Sequence, residues 1–125
     1  MMKKTVVCTE SAPAAIGPYS QAIQSENFIF ASGQLGMDTA KNFPETAAEQ
    51  AIQSLQNARA ILASANCEMD QVVKTTIFLT DMADFPQVNE VYSKFFNEPY
   101  PARSTIQVAA LPMGAKVEIE VIARL

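Results

Sequence analysis

The arginine in "PYPARSTIQV", Arg103, follows Pro99 and Pro101 and opens a run whose composition suits a strand. By the two-residue period of a strand it shares a face with Thr105 and Gln107, while Ser104, Ile106 and Val108 face the other way. It is one of only three arginines in the chain. A guanidinium presents a planar fork of donors that holds a carboxylate through two parallel hydrogen bonds. Further on, "KVEIEVIARL" sets Glu118 and Glu120 two residues apart, hence on one strand face. A partly buried carboxyl there can accept or give a proton, or orient a water. A structural ion pair of Arg103 with Glu118 or Glu120 is the competing reading, and the spacing does not choose between the two glutamates.

Three further stretches place polar groups near turns. In "AIGPYSQAI" Gly17 and Pro18 force a turn that presents Tyr19, although a tyrosine after Gly-Pro is more often a packed aromatic than a ligand contact. "ASGQLG" ends a strand at Ser32 and Gly33, where a missing side chain lets a ligand approach the backbone. It lacks the spacing of a phosphate loop. Asn89 falls inside a helical pattern, where asparagine is mildly unfavourable and a partner would explain it.

The elements that must position these residues are legible as periodicities. "KTVVC" (4–8), "FIFASGQ" (28–34), "VVKTTIFLT" (72–80), "STIQVAA" (104–110) and "KVEIEVIARL" (116–125) are rich in β-branched and aromatic residues and read as strands. In the last, Val117, Ile119, Val121 and Ala123 share one face, and Glu118, Glu120, Ile122 and Arg124 the other. "PETAAEQAIQSLQNARAILASAN" stripes Ala48, Ala51, Leu55, Ala58 and Leu62, with Thr46 and Glu49 as a capping box and Asn66 at the left-handed end. "DFPQVNEVYSKFFNE" begins with Asp84 as N-cap and Pro86 in the first turn, stripes Phe85, Val88, Tyr92 and Phe95, and must stop before Pro99.

This order predicts an α+β layer with both helices on one face of a mixed sheet. The free sheet face then carries Glu118 and Glu120 beside Ile122, too apolar for simple exposure and too charged for a simple core. A subunit contact that encloses polar sites satisfies both demands.

Composition excludes several classes of chemistry. The chain has no histidine and only two cysteines, Cys8 and Cys67, outside any Cys-x-x-Cys pair, so neither a zinc site nor a histidine-activated nucleophile has its parts. Reduced thiols, the lack of a long apolar leader in "MMKKTVVCTE" and the lack of any membrane-length apolar run predict a soluble, cytoplasmic protein. With 125 residues, about half of them apolar, one domain over residues 1–125 is expected. The net charge of −4 and scattered basic residues argue against a nucleic-acid groove.

At these residues the chain resembles the RidA family, also called YjgF or the reactive intermediate deaminase family. The likeness runs through "PARSTIQVAALPMGAKVEI" and, in order, "APAAIGPYSQA", "ASGQLG", "VVKTTIFLTDMADFPQVN" and "FFNEPYPAR", and so spans nearly the whole chain. The resemblance implies a chorismate-mutase-like fold of the bacillus type, assembled as a homotrimer with sites between subunits. It implies hydrolysis of 2-imino acids and their enamine tautomers, released by pyridoxal-phosphate enzymes, to 2-keto acids and ammonia, with no cofactor and no metal. Carried over by position, Arg103 holds the substrate carboxylate and Glu118 positions water. Tyr19, Ser32, Gly33, Asn89 and the backbone of Thr105 line the pocket. Some members carry a cysteine where this chain has Thr105; a hydroxyl with no histidine to activate it supports no covalent route there.

The expected activity is therefore 2-iminobutanoate/2-iminopropanoate deamination, with small 2-imino and 2-keto acids as partners and no membrane. The alternative is a small-ligand-sensing regulatory protein of the same fold. An endoribonuclease is disfavoured by the acidic charge and missing histidine, and a chorismate mutase by a pocket whose chief cation is Arg103.

Overall fold

The computed structural model describes residues 3–125; the two methionines that begin the quoted "MMKKTVVCTE" lie outside the described residues. Among the described residues seven strands form one sheet: β1 (Lys4–Val7), β2 (Ala22–Ser25), β3 (Phe28–Ala31), β4 (Gln34–Leu35), β5 (Val72–Leu79), β6 (Ala102–Gln107) and β7 (Val117–Arg124). Two helices, α1 (Ala47–Ala63) and α2 (Phe85–Ser93), complete the α+β layer. The order across the sheet is β1-β2-β3-β7-β5-β6, with β4 pairing β7 beyond the end of β3. The sheet is mixed because β5 and β6, joined through α2, run parallel while the other pairs are antiparallel.

The core lies between the sheet and the helices. On β7, Val117, Ile119, Val121 and Ala123 are buried, as the alternation predicts, against Leu55, Ala58, Ile61 and Leu62 of α1. Each large side chain buried there contributes about 1.5–3 kcal/mol by leaving water. Thr46 accepts from the Glu49 amide at 3.1 Å and the Glu49 carboxylate answers from the other side, so the expected capping box starts α1. Asn66 takes φ +56, as expected of the residue that turns the chain out of the helix.

Several local expectations are corrected. Residues 22–25, absent from the sequence reading as a strand, form β2; "AIQS" has a weak strand signature and is drawn into the sheet by antiparallel pairing on both sides. The expected strand at 28–34 breaks after Ala31, where the Ser32 amide turns to the Gln21 carbonyl at 2.9 Å, and resumes as β4 on a different stretch of β7. β6 begins at Ala102 and ends at Gln107, so Arg103 lies inside the strand. Asp84 makes no capping bond; Asp81 caps instead, accepting from the Ala83 amide at 2.9 Å at the start of a short 3-10 turn, Met82–Asp84, that leads into α2. Ala48 is only half-buried, and Ala47 occupies the core position at the head of α1.

Among the described residues no helix covers the opposite sheet face. It carries Val6, Phe28, Phe30 and Ile106, all well exposed, beside the half-buried Glu118, Glu120 and Ile122. This is the mixed apolar and charged face expected from the last strand. Among the described residues no helix is long and apolar enough to cross a membrane.

Candidate functional site

Arg103 stands on β6, the edge strand, level with Thr75 of β5. Thr75 is buried beneath α2, so Arg103 points to the helical side of the sheet. Its guanidinium carbon lies 4.9 Å from the ring centre of Tyr92 and 5.3 Å from that of Phe85, both on α2. One nitrogen donates to Asn89 Oδ1 at 2.7 Å. Phe85, Asn89 and Tyr92 sit at i, i+4 and i+7 of one helix and therefore face the strand together. Tyr92 is itself fixed by a 2.8 Å hydrogen bond with Thr75, and burial pushes its phenol up, so the ring stays uncharged beneath the cation. A cavity of about 410 Å³ opens here, lined by Asn89, Tyr92, Ser93, Tyr100, Pro101 and Arg103. Asn89 engages a single nitrogen of the fork, which leaves further donors for a carboxylate.

Glu118 lies on the opposite face of the sheet, between Leu35 of β4 and Phe78 of β5. It is half-buried, and desolvation, followed by the neighbouring Glu120 charge, raises its pKa above the ordinary carboxylate value. Such a carboxyl exchanges its proton more readily near neutral pH than an exposed one. It faces a cavity of about 470 Å³, which also meets Tyr19, Gly33, Leu35, Met37 and Met113. The carboxyl group packs directly on Gly33: a methyl there would stand 2.7 Å from Glu118 Cδ. The space expected to admit a ligand at Gly33 is thus filled by the glutamate itself.

Of the remaining candidates, Tyr19 lines this second cavity, whereas Ser32 and Thr105 do not. Tyr19 is exposed on its rim, with its hydroxyl accepting from the Ile16 amide at 3.3 Å. Ser32 donates to the Ser20 carbonyl at 2.6 Å, so its proton is spent holding the Tyr19 turn in place. Thr105 is level with Ile77, half-buried, and does not line either cavity. The structure therefore gathers Arg103 and Asn89 in one place and Tyr19, Gly33 and Glu118 in another. The ion pair between Arg103 and Glu118 or Glu120 is ruled out within one chain, because their strands present them on opposite faces of the sheet. Among the described residues no group of three histidines, cysteines, aspartates or glutamates could hold a metal ion.

A family model described as Endoribonuclease L-PSP matches residues 9–125. The chain belongs to this family, the RidA/YjgF family. It is 55% identical over 126 residues to the Reactive Intermediate Deaminase A, chloroplastic, of Arabidopsis thaliana, covering 99% of this chain and 67% of that protein. It is 50% identical over 122 residues to the 2-iminobutanoate/2-iminopropanoate deaminase of Mus musculus, covering 96% and 90%. The crystal structure of RidA from the Antarctic bacterium Psychrobacter sp. superposes with a TM-score of 0.94 at 44% identity, over 97% of this chain and 99% of that one.

Several residues that shape these two cavities of the RidA/YjgF chain escaped the sequence reading. Phe85 and Tyr92 were expected only as core stripe, yet they also carry Arg103. Buried Gln21 bonds the Thr9 amide and the carbonyls of Thr9 and Pro13, at 2.7, 3.1 and 2.8 Å, and so fastens the segment that supplies Pro13 and Ala14 to the Glu118 cavity. The cavity floor is held from behind by polar residues of α1: Ser54 donates to the Gln34 carbonyl and Asn57 to those of Leu35 and Met37. A polar residue at a core-facing helical position, as Ser54 and Asn57 are, was the available signal.

Proposed function

We propose that this chain is a 2-iminobutanoate/2-iminopropanoate deaminase, which converts a 2-imino acid and water to a 2-keto acid and ammonia. The observation that carries the reading is the half identity, over nearly the full chain, to deaminases that bear this name. The two half-sites are consistent with it. Arg103 holds the substrate carboxylate, its orientation supplied by Asn89, Phe85 and Tyr92. Glu118 binds the attacking water. Water adds to the imine carbon as the nitrogen takes up a proton, giving a carbinolamine; its amino nitrogen then takes up a second proton and leaves as ammonia while the hydroxyl gives up its proton and the C=O bond forms, and Glu118, with its raised pKa, relays these protons.

Because Arg103 and Glu118 occupy opposite faces of one sheet, a single chain does not bring them onto one substrate. A homotrimer in which Arg103 of one copy meets the Glu118 cavity of the next resolves this, and the uncovered apolar and charged sheet face supports such an assembly. Tyr19, Gly33 and Thr105 then border the joined pocket. Within this proposal the chain acts as one domain without a cofactor, away from membranes and nucleic acid. Two free cysteines, one exposed and one buried, are consistent with a cytoplasmic setting.

The test is ammonia and 2-keto acid release from freshly generated 2-iminobutanoate, with the uncatalysed hydrolysis subtracted. Acceleration proportional to protein concentration is expected. A protein that binds 2-oxobutanoate but adds nothing to the spontaneous rate would instead be the small-ligand sensor.

A further inference from the structure

Along β5 the buried residues are Val72, Thr75, Ile77 and Leu79, and Thr75 alone among them is polar. A valine fills the same space without a hydroxyl to strip of water, so a threonine is the less favourable choice there unless its hydroxyl is bonded. It is bonded: it meets the Tyr92 hydroxyl at 2.8 Å, and Tyr92 is itself only 5% exposed. Phenylalanine would serve the core equally well at that helical position, as Phe96 does one turn on. Two buried residues thus each carry a hydroxyl that packing does not require, and the two hydroxyls satisfy one another.

The pair adjoins Arg103. Thr75 is level with Arg103 on the neighbouring strand, and the Tyr92 ring centre lies 4.9 Å from the guanidinium carbon. Phe96 packs against the same ring, with centres 4.6 Å apart. The ring is therefore held at its tip by Thr75 and along its body by Phe96, and it neither tilts nor slides under the cation. β6 offers no such hold of its own, being an edge strand whose residues are exposed or half-buried. An arginine on such a strand has rotamer freedom to surrender when it grips a ligand, and a fixed ring beneath the guanidinium removes part of that freedom in advance. Thr75 and Tyr92 are buried within one chain, so the approach of a neighbouring copy leaves the pair as it is.

We propose that Thr75 is a positioning residue for the carboxylate receptor: its hydrogen bond locks the Tyr92 ring that carries Arg103, and so sets how tightly the carboxylate of a 2-imino or 2-keto acid is held without touching it. The inference rests on the deaminase reading and deepens it by naming the residue behind the clamp. Because Arg103 grips substrate and transition state alike, loosening it weakens binding more than it slows the chemical step.

The experiment measures 2-oxobutanoate affinity by calorimetry, KM and kcat in the imine assay, and thermal stability, on wild type, on Thr75→Val combined with Tyr92→Phe, and on Thr75→Ser. The double variant removes both hydroxyls, keeps both shapes and leaves no buried polar group unpaired, so it should melt close to wild type. Its Kd for 2-oxobutanoate and its KM should nevertheless rise about tenfold, the scale of ordering one rotamer-rich side chain, while kcat stays within about threefold. Thr75→Ser loses a buried methyl but keeps the hydroxyl, so it should melt lower yet hold Kd and KM within about twofold. This crossed pattern, stable but weakly binding against less stable but tightly binding, is one that a purely structural role does not produce. A double variant that binds within about twofold of wild type overturns the lock, and so does a Thr75→Ser variant whose affinity falls in step with its stability. If the double variant does not fold, Tyr92→Phe alone, which keeps the ring, carries the same expectation for Kd and KM, and unchanged values overturn the lock. Wild type that binds 2-oxobutanoate without accelerating imine hydrolysis overturns the deaminase reading alone, since the lock is still read from Kd; wild type that does neither overturns both.

Discussion

The carboxyl end of Glu118 rests on the bare backbone of Gly33, with Cδ 2.7 Å and Cγ 3.0 Å from the point where a β-carbon would stand. Gly33 does not need a left-handed backbone there; it needs the absence of a side chain. Gly33→Ala should therefore push the carboxyl aside. The displaced atoms are the far end of a flexible side chain, so stability should change by less than about 1 kcal/mol. Turnover should fall about 100-fold, the cost of misplacing a catalytic group by an ångström. Thermal melts and the imine assay on one preparation check it; unchanged turnover would remove Glu118 from the reaction.

Glu118→Gln separates stability from activity. Burial and Glu120 raise the carboxyl pKa in the folded chain, so the folded state binds the proton more tightly than the unfolded one. Stability is then lost as pH rises from the ordinary carboxylate value through the raised one, and is fullest below that window. Glutamine escapes the penalty: the variant should melt higher than wild type at about pH 7 and match it at about pH 4. Solvent at this half-exposed group keeps the gain below about 1 kcal/mol. Turnover should drop by about 100-fold or more. A variant that melts lower at neutral pH would show that the carboxylate has a favourable partner in the assembly.

Arg103 should behave differently. Arg103→Ala removes a clamp that acts on substrate and transition state alike, so 2-oxobutanoate binding, read by calorimetry, and turnover should both collapse. Arg103→Lys should recover little, since a point charge replaces a fork lying between two rings. Asn89→Ala keeps the charge but frees the guanidinium, and should raise KM several-fold while lowering kcat less. Full turnover in Arg103→Ala would overturn the carboxylate role.

Sites shared between copies predict complementation. Arg103→Ala and Glu118→Gln, each inactive alone, should regain activity when unfolded together and reassembled. Equal mixing yields about a quarter of intact sites, because one copy must supply the arginine and its neighbour the glutamate. No recovery in mixed trimers, with light scattering confirming assembly, would place each site within a single copy.

The alternation of β7 was legible because one face is buried along its whole length, and the same period placed Arg103 with Thr105 and Gln107. What the period could not give was which face of the sheet each strand turned to the helices. Arg103 and Glu118 each look like half of an ion pair until the register of β5 with β6 and β7 puts them on opposite sides. β2 was missed because its partners, not its own residues, make it a strand. Asp84 looked like a cap because it precedes Phe85 and Pro86, yet the 3-10 turn moved the capping role to Asp81. The clamp formed by Phe85 and Tyr92 was hidden for a different reason: a helical stripe reads the same whether its rings meet leucines or a guanidinium.

The parallel pairing of β5 and β6 through α2 has a consequence for what a lone chain can do. Thr75, Phe85, Asn89, Tyr92 and Arg103 belong to one uninterrupted stretch, so the proposed receptor for a carboxylate is complete as soon as that stretch folds. The proton-handling half is assembled from remote segments and, in the proposed assembly, meets that receptor only across a boundary between copies. Dilution would then separate two capacities that are usually lost together: below the concentration at which copies associate, the chain would still capture keto acids while ceasing to make them.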